Sequence, residues 1–188
     1  MPIRRTLYYE EKDTHMLNKR LALDGILLAL AAAFSFLESL IPLPVGIRLG
    51  LSSLVIMYAL LFLSKTEAGA IVVLKSCFAM LTRGLTAGML SFSGGILSLI
   101  GMIMLLRLRS SLLLMSSIGG FLHNLGQILA ASCLMRSTAI FTYFPILAAA
   151  GLGAGILSAC ILRLLLPHLP DAQSIHTPST FSRKVPDK

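Results

Sequence analysis

Between Leu21 and Leu166 one apolar run follows another, each near the length needed to cross a bilayer, and this limits the fold more than any other feature. A spanning helix requires about 20 mostly apolar residues, with a range of roughly 17–25. Six segments fit: Arg20–Ile41, Gly46–Leu63, Thr66–Leu81, Met89–Leu106, Leu112–Met135 and Ala139–Leu166. The third is short and holds Lys75. The last is overlong, is interrupted by Gly151, Gly153 and Gly155, and is expected to leave the bilayer before Pro167. With Glu67 placed in a turn, the acids in this whole stretch are Asp24 and Glu38. The chain is 56% hydrophobic and 13% charged, with a mean hydropathy of +0.85, whereas soluble domains carry about 25% charged residues. That leaves too little polar surface for a water-soluble globule and too much apolar content for disorder. The expected fold is an all-α integral membrane protein with six transmembrane helices.

The organisation follows from the composition shifts. Residues 1–19 form a polar N-terminal segment, 20–167 the six-helix membrane domain, and 168–188 a polar tail rich in Asp, Gln, Ser, His, Thr and Pro that reads as disordered. Pro42 and Pro44 end the first helix, because proline cannot continue the hydrogen-bond ladder. The run Arg83–Gly88 separates the third helix from the fourth. The first apolar run shows no small-residue cleavage site, so it is expected to stay in the mature protein.

Orientation follows from the basic residues. With the N-terminus inside, twelve of the sixteen Lys and Arg fall on the cytoplasmic side; Arg48, Arg83 and Arg136 fall outside and Lys75 within a helix. Both termini are therefore expected in the cytoplasm, with the chain a multi-pass protein of the cell membrane. The net charge of +8 is read as this topology signal and not as a nucleic-acid surface.

Polar groups inside a bilayer are costly, so each asks for a reason. Glu38 near the outer end of the first helix is either an interfacial cap or a carboxylate at the mouth of a cavity. Lys75 is either its ion-pair partner or a cation aimed at an anionic ligand. His123, Asn124 and Gln127 lie within one turn of the fifth helix, where residues three and four apart share a face. They are either an interhelical clamp or a ligand pocket, and the pocket is the expectation. Ser91, Gly94 and Gly95 open the fourth helix as close-packing residues or a pocket wall. Gly25, Ala29 and Ala33, spaced by four, give the first helix a flat face on which another helix can dock.

Other chemistry is not signalled. One lone histidine without nearby acids or thiols makes no metal site. Cys77, Cys133 and Cys160, scattered in apolar segments, offer no disulfide framework and read as packing residues. There is no nucleotide-binding G-x-x-x-x-G-K-[ST] loop, no clustered aspartates to hold magnesium and a diphosphate, and no nucleophile–base constellation. An enzyme is not expected, and no cofactor is implied.

Several of these residues carry a resemblance. Glu38-Ser39-Leu40-Ile41-Pro42 and the run Gly46–Ser53, with Arg48 inside it, resemble the first loop and second-helix start of the S-components of energy-coupling-factor transporters. The run Ser91–Gly95 and His123-Asn124-x-x-Gln127 resemble the Gx transporter family, also described as heptaprenyl diphosphate synthase component I; the resemblance covers about Asn18 to Leu166. It implies a six-helix S-component-like fold that binds a small ligand from outside and hands it inward. The partners so implied are a membrane coupling subunit, docked through Ala29-x-x-x-Ala33, and two cytoplasmic ATPases. The implied cargo is a vitamin, flavin, quinone or prenyl-like molecule; the polar groups read above make Glu38, Arg48, Lys75, Ser91, Gly94, Gly95, His123, Asn124 and Gln127 the residues expected to bind it. The second family description implies instead an accessory role in making the prenyl tail of menaquinone with a soluble catalytic subunit. A purely structural membrane subunit is a third reading.

Overall fold

The computed structural model describes residues 3–40 and 51–165, and side chains for most of these. The described residues are helical, in the order α1 (Ile3–Ser39), α2 (Ser53–Phe62), α3 (Lys65–Arg83), α4 (Leu85–Arg107), α5 (Leu112–Met135) and, after a short 3-10 turn at Thr138–Tyr143, α6 (Phe144–Leu165). Four segments are long and apolar enough to cross a membrane: Leu21–Glu38, Leu85–Arg107, Leu112–Met135 and Thr138–Leu164. The sequence pattern alone predicts six. With about 1.5 Å of rise per residue, ten-residue α2 reaches only about 15 Å, half a hydrocarbon core. The 19-residue α3 approaches spanning length but carries Lys65, Glu67, Lys75 and Arg83.

Several boundaries differ from the expected ones for identifiable reasons. The backbone has no break at residue 19, since α1 runs unbroken from the polar N-terminal residues into the apolar stretch. It ends at Ser39, where Leu40 N–H turns back to the Leu37 carbonyl at 3.1 Å. The expected connection at Arg83–Gly88 shrinks to Gly84 alone, whose φ of +92° suits glycine; α4 starts at once at Leu85. Gly88 then lies against Met80 with no room for a Cβ, so α3 and α4 form a tight antiparallel hairpin. α3 begins with a Ser64-x-x-Glu67 cap, in which the Ser64 hydroxyl accepts the Glu67 N–H at 3.2 Å. α5 has the expected limits, with the Ser111 hydroxyl accepting from Leu114 N–H at its start and Arg136 left-handed at its end. The glycines of the last segment do not break it; α6 is continuous through them.

α2 occupies the middle. It is apolar all round, seven of its ten residues are buried, and it packs against α1, α3, α4, α5 and α6. A helix hydrophobic on every side belongs in a core, and Val55, Ile56, Met57 and Ala59 accordingly share one apolar cluster with Ala31, Ile71, Val72, Met102, Met115 and Leu162. The outer faces carry leucine, isoleucine and phenylalanine in the open, among them Leu81, Ile100, Met104, Ile146 and Leu164. Apolar side chains inside and outside together fit a bilayer as solvent. Cys77, Cys133 and Cys160 are exposed on these faces and not, as their setting suggested, packed between helices.

Candidate functional site

Most of the residues singled out in the sequence as ligand-binding are sealed in the bundle. They fall into two groups on different elements. Arg48 lies outside the described residues.

The first group sits where α1, α2 and α3 meet. Glu38 is 2% exposed and Lys75 1%. One Glu38 carboxylate oxygen accepts the backbone N–H groups of Leu51 and Ser52, the latter at 3.3 Å, at the N-terminal end of α2. The Lys75 ammonium donates to the Ser52 hydroxyl at 2.8 Å. A carboxylate at a helix N-terminus meets the positive end of the helix dipole. One turn back on α1, Ser35 takes the Arg83 guanidinium twice, at its carbonyl (2.6 Å) and its hydroxyl (3.0 Å). Glu38 also attracts Arg83 electrostatically. Glu38 thus binds the start of α2 and attracts Arg83, while Lys75 reaches the same helix start through Ser52, and the Glu38 carboxylate is buried instead of open at an interface. The sequence signal for Ser35 and Ser52 is no more than a small polar residue inside an apolar run.

The second group sits among α4, α5 and α6, and His123, near the middle of the 24-residue α5, belongs to it. His123 and Gln127 bond to each other through their Nε2 atoms at 3.0 Å, one turn apart. Asn124 turns away from them toward α6 and donates from Nδ2 to the Leu147 carbonyl at 2.7 Å. The three polar side chains thus serve two helix interfaces instead of one shared face. Each is no more than 2% exposed. The Asn124 Oδ1 atom is buried without a partner, as are the hydroxyls of Ser98, Ser116 and Ser158.

The serine–glycine run of α4 is a seam. A Cβ on Gly94 would fall 2.7 Å from the His123 carbonyl, and one on Gly95 2.7 Å from Val72 of α3, so the pair separates two neighbours on opposite sides. Ser93 donates to the Gly126 carbonyl at 3.0 Å, and Ser91 meets Ser76 of α3 at 3.5 Å, hydroxyl to hydroxyl. α4 does not unwind here. The same construction repeats between α5 and α6, where Gly120 abuts the Gly151 backbone and Gly155 the Ser116 carbonyl. Close backbone approach through small residues is how helices associate when apolar burial gives them no net drive in lipid. In the sequence Gly151 and Gly155 look like interruptions of the last segment; their spacing of four, Gly151-x-x-x-Gly155, is the signal for a seam.

Gly25, Ala29 and Ala33 behave differently. All three are exposed, and nothing lies within 4 Å of where a Gly25 side chain would begin. Among the described residues, no group of three His, Cys, Asp or Glu is placed to hold a metal ion.

No curated protein and no solved structure matches the chain. A family model does, over residues 27–165, which takes in α1 from its apolar part through α6 and therefore both polar groups. The chain belongs to the heptaprenyl diphosphate synthase component I family.

Proposed function

We propose that this chain is a non-catalytic membrane subunit that works beside a separate prenyl diphosphate synthase. The observation that carries the reading is family membership across almost the entire helical bundle. The sequence supports the non-catalytic part. Prenyl transfer from a diphosphate uses clustered carboxylates and magnesium, whereas the four aspartates here stand at 13, 24, 171 and 187. The bundle offers the catalytic partner a bilayer-embedded apolar body, suited to lie beside a growing isoprenoid chain. In this reading the chain is a multi-pass protein of the cell membrane, and the buried polar groups hold helices together. Affinity purification from native membranes tests it: the synthase is expected to travel with the chain. Its absence, with the chain itself intact, would contradict the reading.

A second reading keeps the chain as the ligand-binding subunit of a micronutrient transporter, coupled to a membrane partner and two ATPases. One specific observation favours it, the open small-residue face at Gly25, Ala29 and Ala33, which no other described helix covers at Gly25. In that reading Glu38, Lys75, His123, Asn124 and Gln127 receive a ligand after the bundle opens. Native mass spectrometry with organic extraction separates the two: a retained flavin, quinone or vitamin favours transport, and retained prenyl diphosphate the accessory role.

A further inference from the structure

α2 is held at one end in an unusual way. Ser52 stands in the capping position, yet its hydroxyl makes no bond to the first turn of its own helix; it accepts the Lys75 ammonium instead. The N–H groups of Leu51 and Ser52 are satisfied by Glu38 of α1. Glu38, Ser52 and Lys75 are 2%, 1% and 1% exposed, so a carboxylate and an ammonium are both sealed at the start of the central helix. Arg83 is only half-buried, and Lys75 is the cation that cannot reach water. Isolating one member of a buried charge pair is strongly unfavourable, while removing both together is often tolerated. Beyond this end, Leu54, Val55, Ile56, Met57, Ala59 and Leu60 offer apolar contact, which is non-directional.

We propose that Glu38, Ser52 and Lys75 form a charge-balanced latch that keeps α2 inserted in the bundle, and that unbalancing the charge at either residue frees the N-terminal end of α2 and opens the interior to water. The latch is independent of which partner the chain serves.

The test uses the full chain in detergent with Cys77, Cys133 and Cys160 replaced by serine. Ser53→Cys, at a site 1% exposed, reports opening of the α2 end through its reaction rate with a water-soluble maleimide. Ala131→Cys, 1% exposed in the separate apolar cluster of α5, reports general unfolding. Glu38→Gln alone and Lys75→Met alone are each expected to raise labelling at Ser53→Cys at least tenfold, with Ala131→Cys unchanged. The double variant is expected to return to within threefold of the starting rate. If a single variant yields no folded protein, recovery in the double variant supports the latch, and failure of the double variant overturns it. Unchanged labelling in the single variants, a double variant as fast as the faster single, or parallel labelling at both reporters would also overturn it.

Discussion

Lys75 donates to the Ser52 hydroxyl at 2.8 Å across 23 positions of sequence, with both residues 99% sealed from solvent. The bond ties α3 to the start of the central helix and gives a buried ammonium an acceptor. Ser52→Ala removes that acceptor without changing any charge. A hydrogen bond lost from a buried charged group costs about 1–3 kcal/mol, so a clear fall in the unfolding midpoint in detergent is expected. An unchanged midpoint would show that Lys75 is held without Ser52.

The glycine seams make a sharper contrast. Gly120→Ala pushes a methyl group into the Gly151 backbone, whereas Gly153→Ala meets nothing within 4 Å. Overpacking costs typically about 1–3 kcal/mol, while alanine in place of an unpacked helical glycine gains up to about 1 kcal/mol. The two substitutions, one in α5 and one in α6, are therefore expected to move thermal stability in opposite directions. Equal effects would mean that the α5–α6 interface is looser than described.

Asn124→Leu removes the bond to the Leu147 carbonyl but also a buried oxygen without a partner. Interhelical polar contacts in membranes are worth about 0.6 kcal/mol on average and up to about 1.7. Stability is thus expected to fall by no more than about 2 kcal/mol, measured by denaturant titration in mixed micelles. If a small molecule co-purifies with the chain and is lost from this folded variant, Asn124 touches it; full retention would make Asn124 a clamp and nothing more.

The open face of α1 predicts a separation of folding from assembly. Gly25→Leu adds bulk where no neighbouring element among the described residues lies within 4 Å of the new Cβ, so yield and unfolding midpoint are expected to stay within about 0.5 kcal/mol, as at surface sites remote from packing. Pull-down of membrane partners is expected to drop several-fold. A destabilised monomer would place another part of the chain on that face, and undiminished capture would remove the face from assembly.

How much of this was legible beforehand depended on whether one helix or several supplied the answer. The limits of α5 can be read because Ser111, the apolar run and Arg136 are all local; Glu67, expected in a turn, lies instead in the first turn of α3, because the Ser64 hydroxyl three residues earlier caps its N–H and starts the helix sooner. α2 was not legible as a short central helix, because its apolar pattern is the same as that of a spanning segment and only its five neighbours make it a core element. Lys75 illustrates the same limit. Its helix lacks a nearby acid that could take it, and its acceptor is a serine that only the fold brings close. His123 and Asn124 share a turn, but which interface each serves depends on where α4 and α6 pack around α5. Glycines read the same in a break and in a seam until the neighbouring backbone is placed.

An accessory role beside a prenyl diphosphate synthase must show in that enzyme's own turnover, which reconstitution measures. The chain is placed in liposomes with the soluble synthase, and conversion of labelled isopentenyl and allylic diphosphates is followed by rate and product length. The chain alone is expected to be inert, and its addition to the synthase is expected to raise the rate or lengthen the product. A synthase whose rate and product are the same with and without the chain, in membranes where the chain is folded, would contradict the claim.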